Sequence, residues 1–554
     1  MPIAWLITAV LAFFYWEVSL NNILGLTGFG FLEALKILII IAGALLVLNT
    51  LKTSKALLKI EESFQSISPD SRIQLIIVSF LFSSFIEGSA GFGTPAALAA
   101  PLLISLGFKP LSSIILALFY NSVAVSFGAA GTPIAGMDGT VELASRQLMK
   151  VTSKTAILQF LPGLLVPFLG VAFYTKVLHP AKSFQKSLPT LPFALTVGLI
   201  FAVTYLLSAT FLGFELPSIL ASITGLVVAV FLAKTKILIP KQILKSERDY
   251  QNENETGKNQ KETKLSNQTK TTMQIQAKSP ETDLIKSKFA SKNELEEEDK
   301  TKPSPTESTD SPSPFMSWLP YLLIAAILLI TRVQNLPFRG VLENIKLVYP
   351  NSFNLNMDWN IAYLNLPGIL PFALISVIFF AIYKLNKTQI KQIFSKTSSQ
   401  LSPAIIALLF VLAMVQLMRY TGDFSGNNQG SMVVNLASLI TNLNSNLVLL
   451  LSPLIGSLGS FITGSATVSN LLFSSIQLET AQLTGLNQTT LLALQATGAA
   501  MGNMVSISNI LAVSAVAGIK NQEGRILKST FELMLVYFVL VVVGIGLGVS
   551  LKLV

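Results

Sequence analysis

Glu87 stands in the stretch FIEGSAGFGTP, Phe85–Pro95, inside an apolar run and beside three glycines and a proline. A carboxyl at membrane depth is costly and is by default a functional candidate. Carried there, it can take a proton on one face and release it on the other, the task of a coupling group in an anion carrier. It can equally brace the tip by pairing with a helix dipole or a basic side chain. Gly and Pro stop a helix. The half-helix that restarts beyond them offers unpaired N–H groups and the positive end of its dipole, a ready place for an anion. Ser89 and Thr94 add hydroxyls at this tip.

A second stretch, FITGSAT at Phe461–Thr467, matches FIEGSAG at five of seven positions, 376 residues downstream. With its continuation it supplies Ser465, Thr467, Ser469 and Asn470. Two further interruptions follow the same pattern. FGAAGTP, Phe127–Pro133, comes after the helix that carries Asn121, and TGAAMGNMVSISN, Thr497–Asn509, supplies Asn503 and Ser506. Neutral hydroxyls, amides and helix ends suit a small hydroxylated monocarboxylate, and no Walker-type loop is present for a nucleotide. Arg146, in ASRQL, is a candidate to orient a carboxylate bidentately, set against the alternative of a loop arginine facing lipid headgroups. Ser, Thr and Gly also serve as close-packing residues between membrane helices. The paired arrangement therefore carries the reading, rather than any one of these residues.

The elements that must position these residues are membrane helices. Only 12% of the 554 residues are charged and 51% are hydrophobic, about half the charge of a soluble domain. Apolar segments long enough to cross about 30 Å of hydrocarbon recur along the chain. The sequence predicts an all-α polytopic protein of the cell membrane with about 11–13 transmembrane helices, the first of them at residues 2–20 and retained rather than cleaved. There is no cysteine and a single histidine, His179. These exclude a disulfide framework, thiol chemistry and zinc-type ligand clusters, and they leave no nucleophile–base pair for an intramembrane enzyme. No cofactor or metal is expected.

Residues 241–314 are a different material, rich in Lys, Glu, Ser, Asn and Pro, with nothing to bury. They read as a disordered cytoplasmic linker between membrane halves 1–240 and 315–554. The linker holds 13 Lys and Arg against 14 Asp and Glu, leaving 26 against 15 elsewhere. The positive excess lies in short loops, where it orients a membrane protein rather than binding nucleic acid. Loops 51–72, 234–245, 384–400 and 520–528 come out cytoplasmic. Four full helices then separate residues 107 and 234, so segment 73–107 must return to its own side as a re-entrant hairpin. Segment 446–478 enters from the other side. Two such hairpins from opposite faces are what an inverted repeat predicts.

With these motifs in hand, the chain resembles the lactate permease family of bacterial carriers. The resemblance is close over Ser68–Leu111 and continues through NSVAVSFGAAGTPI, GFELPSILASI, SPLIGSLGSFITGSATVSNLLFSSIQ and QATGAAMGNMVSISNI. It implies proton-coupled uptake of L-lactate, with D-lactate and glycolate as related substrates; lipids and the coupling proton are the other partners, and an oligomer is compatible. Members of the family usually carry Asp where Ala466 stands and Lys where Asn503 stands. The two charges are lost together, which suggests that they interact in relatives and opens a sodium-coupled or dicarboxylate carrier as the alternative. Members also usually begin with one more helix, and the 241–314 insertion is longer and more charged than expected. A membrane sensor or scaffold with the linker as its output is the reading from a different class.

Overall fold

The computed structural model describes every residue except 66, 92–93, 142, 252–311, 333–337, 442 and 554. Most of the expected linker thus lies outside the described residues. Among those described, ten helices are long and apolar enough to cross a membrane, or eleven if one bent pair counts as a span. In hydrocarbon every backbone N–H and C=O must find an internal partner, and a helix achieves this within one segment. Two expected spans are shorter than the sequence suggests. The N-terminal helix covers only Pro2–Phe14, and the segment near 361–383 is helical over Gly368–Ile382 after a two-stranded antiparallel hairpin, Leu347–Tyr349 with Trp359–Ile361.

The two halves repeat one order of elements. A long helix, Leu20–Thr53, is followed by hairpin limbs Ser71–Ser89 and Thr94–Ser105, a broken helix, Pro110–Asn121 then Ala124–Val141, and a long span, Ser145–Leu178. The second half gives Lys387–Tyr420, limbs Ser445–Thr463 and Ala466–Thr484, a broken helix, Gln488–Asn503 then Ile507–Val516, and Glu523–Ser550. The helices Leu20–Thr53 and Lys387–Tyr420 pack along each other as the seam between the halves.

Hydrogen bonds fix where each hairpin opens. Residues 241–251, the beginning of the expected linker, form an ordered strap instead. Leu244 and Glu247 are buried, a local signal that the average over a long polar stretch conceals. Ser71 N donates to Leu244 O at 2.9 Å and Arg72 Nη2 to Gln242 O at 2.6 Å. At the other limb, Arg248 N donates to Gly107 O at 3.1 Å, while Glu247 accepts from Lys109 N at 2.8 Å and Ser112 Oγ at 2.9 Å. Both ends of the first hairpin therefore meet one strap at one face.

The second hairpin opens at the opposite face. Its limbs run antiparallel, with Ser452 Oγ donating to Gln477 Oε1 at 3.0 Å and Ser469 Oγ to Gly456 O at 2.7 Å. Beyond its outer end, Lys154 Nζ donates to Asn487 Oδ1 at 3.0 Å and Thr490 Oγ1 at 2.7 Å. Lys154 lies near the start of the span Ser145–Leu178, and His179, just past the end of that span, sits 3.2 Å from Lys245 O in the strap.

Candidate functional site

In the first half, the tip of the hairpin meets the break of the helix that follows it. Asn121 Nδ2 donates to Glu87 Oε2 at 2.7 Å, and Ser83 Oγ donates to Asn121 Oδ1 at 3.3 Å. The other carboxylate oxygen lies against Gly128: a Cβ built there would stand 2.2 Å from Glu87 Oε1. Glu87 is 5% exposed.

The break itself is a left-handed turn. Ala129, Ala130 and Gly131 have φ of 43°, 50° and 76°. For a residue with a Cβ this conformation costs about 1–2 kcal/mol, so it persists only where its surroundings impose it. Pro133 cannot donate to the carbonyl four residues back, and Thr132 Oγ1 donates to that Ala129 O at 2.5 Å instead. The preceding short 3₁₀ stretch, Ala124–Phe127, is held from behind. Tyr205 Oη donates to Val123 O at 2.9 Å, Ser218 Oγ to Ala124 O at 2.7 Å and Gln159 Nε2 to Ser126 Oγ at 2.9 Å.

The second half repeats the meeting. Gly464, with φ of 76°, ends one limb, and Ser465 Oγ caps the next by accepting from Val468 N at 3.3 Å. A Cβ on Gly464 would stand 2.0 Å from Ser508 Oγ and 3.2 Å from Ser506 Oγ, at the restart of the second broken helix. Asn509 Nδ2 donates to Asn503 Oδ1 at 2.8 Å across that break.

All four features converge on one cavity of about 20 Å³, room for about one water. Glu87 and Gly91 line it from the first tip, Val125, Gly128, Ala129 and Pro133 from the first break, Gly464–Thr467 from the second tip and Asn503 from the second break. Among these, Glu87 alone is titratable. Helix geometry leaves the first-turn N–H groups of Ala466 and Thr467 without intrahelical partners, so the positive end of a helix dipole faces the same space. A wider cavity of about 540 Å³ lies beyond Pro133, lined in part by Glu33, Lys36, Asp138 and Glu215.

The structure sorts the residues singled out from the sequence. Glu87, Ser465, Thr467 and Asn503 line the cavity, and Asn121 holds Glu87 in place. Ser89 instead donates to Phe85 O in its own helix at 2.7 Å. Ser469 bonds Gly456 O, and Asn470 Nδ2 donates to Pro133 O at 2.9 Å, joining the second hairpin to the first break. Ser506 Oγ pairs with Ser508 Oγ at 2.9 Å. The side chain of Thr94 lies outside the described residues. Arg146 is exposed at the start of the span Ser145–Leu178 and does not line the cavity. Gly128, Ala129 and Pro133 belong to the interruption read from FGAAGTP, whereas the apolar side chain of Val125 was not singled out; only tertiary packing brings it to the site.

The family model described as L-lactate permease matches residues 1–552. A candidate L-lactate permease of Haemophilus influenzae is 30% identical over 499 residues, covering 86% of this chain and 80% of that one. The L-lactate permease of Bacillus subtilis is 28% identical, covering 91% and 83%. The glycolate permease GlcA of Escherichia coli K12 is 26% identical, covering 96% and 88%.

Proposed function

We propose that this chain, which belongs to the L-lactate permease family, takes up L-lactate by proton symport, with D-lactate and glycolate as further cargo. Family and fold make it a multi-pass transport protein of the cell membrane. The finer reading is supported chiefly by one observation: two hairpin tips and two helix breaks meet at a cavity with a single carboxyl side chain in its lining.

In this reading the water-sized cavity widens as the hairpins part to admit the substrate, whose carboxylate then lies at the free N–H groups of Ala466 and Thr467, where a helix start favours an anion. The hydroxyls of Ser465 and Thr467 and the Asn503 amide serve its 2-hydroxyl. Glu87 carries the proton, held at one oxygen by Asn121 and facing the cavity with the other. The hairpins and broken helices move as one unit past the remaining helices, exposing the site to each face in turn.

The test is L-lactate uptake into proteoliposomes of the purified protein, with and without an inward proton gradient, alongside Glu87→Gln. Gradient-driven accumulation is expected from the wild type. The variant is expected to lose it and to retain lactate exchange. Equal accumulation by the variant would remove Glu87 from the coupling step. Uptake that follows sodium, or a dicarboxylate in place of lactate, would overturn the substrate and ion assignment.

A further inference from the structure

The cavity has two unlike walls. Glu87, Thr467 and Asn503 form a polar side. Opposite in character are Val125 and Ala466, each 3% exposed, which pack with the fully buried Ala499 and Ala500. These four residues make an apolar cluster of their own, separate from the large core of the protein.

The apolar wall is also firmly backed. Ala499 and Ala500 lie between Gly498 and Gly502 on Gln488–Asn503, and both glycines press on the first limb of the second hairpin. A Cβ on Gly498 would stand 1.9 Å from Pro453 O, and one on Gly502 would stand 2.2 Å from Ser457 O. Both contacts are with main-chain carbonyls, so the helix carrying the wall has no room to retreat. Volume added at Ala466 must come out of the cavity.

A 2-hydroxy monocarboxylate divides in the same way. Its carboxylate and hydroxyl need donors, while the substituent on C2 (hydrogen in glycolate, methyl in lactate, ethyl in 2-hydroxybutyrate) needs an apolar surface. We propose that Val125 and Ala466, backed by Ala499 and Ala500, form the subsite for the C2 substituent and set which chain length the carrier prefers. This rests on the carboxylate assignment made above.

The test is exchange in proteoliposomes, scored as the ratio of initial rates for glycolate, L-lactate and 2-hydroxybutyrate. A ratio does not depend on how much protein is correctly inserted. Ala466→Val fills the subsite and is expected to shift the lactate-to-glycolate ratio toward glycolate by on the order of tenfold, the usual weight of one methyl group in a close-fitting pocket. Ala466→Gly and Val125→Ala enlarge the subsite and are expected to shift the ratio of 2-hydroxybutyrate to lactate the other way. If Ala466→Val does not insert, the two enlarging variants decide. Wild-type exchange with ratios that none of the inserted variants alters would overturn the subsite. Wild-type protein that exchanges none of the three acids would overturn the carboxylate reading on which it stands, a result separable from the first.

Discussion

Replacing Gly128 by Ala tests whether the geometry at Glu87 matters to transport. Gly128 has φ −66° and ψ 155°, a conformation open to alanine, so the substitution adds one methyl group without straining the chain. That methyl would stand 2.2 Å from Glu87 Oε1 and 3.2 Å from its Cδ. The carboxylate must retreat by roughly 1 Å to reach ordinary contact. Its other oxygen is bonded to Asn121 Nδ2 at 2.7 Å, and a shift of that size takes the bond beyond its useful range. A hydrogen bond to a charged group contributes about 1.5–3 kcal/mol, so the productive placement of Glu87 should become about 10- to 100-fold rarer. Asn121→Ala removes the same bond without adding bulk. Both variants are expected to lose at least about tenfold in gradient-driven lactate accumulation while lactate exchange is affected less. Wild-type accumulation by Gly128→Ala would refute the reasoning. Loss in Gly128→Ala alone would assign the effect to cavity volume and not to the bond.

Two further outcomes concern the body around the site. Gly498→Ala meets a carbonyl 1.9 Å away that no side-chain rotation can relieve; overpacking of this kind costs about 1–3 kcal/mol, and thermal unfolding in detergent should show a clearly lower midpoint. The second concerns pH. His179 accepts from Ala181 N at 3.1 Å through Nδ1, and burial, the main cause, brings its pKa down from 6.5 to about 4. Below 6.5 the unfolded chain binds the proton that the folded one refuses. This stability is complete above pH 6.5 and is lost as the pH falls toward 4. Glu247 has the opposite sign, since burial holds its carboxyl above the usual range; its contribution is present at low pH and declines as the pH rises. The unfolding midpoint should therefore drop between pH 7 and 5 in the wild type, and the drop should shrink in His179→Gln. An equal drop in both would exclude His179 as its source.

Membrane class, the two interruptions in each half and the opening of the two hairpins at opposite ends could be read from apolar length, Gly/Pro placement and the positions of Lys and Arg. These depend on properties each segment carries by itself. The strap did not stand out, because two decisive residues, Leu244 and Glu247, are diluted in a long polar stretch. At the site, sequence could not divide hydroxyls and amides that face the cavity from those that fasten helices. Ser465 and Ser469 are four residues apart on one limb, yet one lines the cavity and the other bonds Gly456 O. The difference comes from which helix lies alongside, a tertiary fact. The contact of Gly128 with Glu87 is of the same kind, since it joins residues on separate helices.

The left-handed turn at Ala129–Gly131 links these observations. Glycine adopts such angles freely, but two alanines do not, so something outside the turn must hold it. On one side are Tyr205, Ser218 and Gln159, which fasten the preceding 3₁₀ stretch to three spans of the first half. On the other is Asn470, whose amide reaches Pro133 O from the second hairpin. The turn is thus a strained joint between the frame of one half and the mobile candidate of the other, and Gly128, against Glu87, adjoins it. In the proposed alternation Asn470 and Pro133 travel together in the moving unit, and the bonds from Tyr205, Ser218 and Gln159 beside the turn are the contacts with the remaining helices that must give. Glu87, against Gly128, would travel with that unit, which gives proton exchange and the opening of the site a shared mechanical origin.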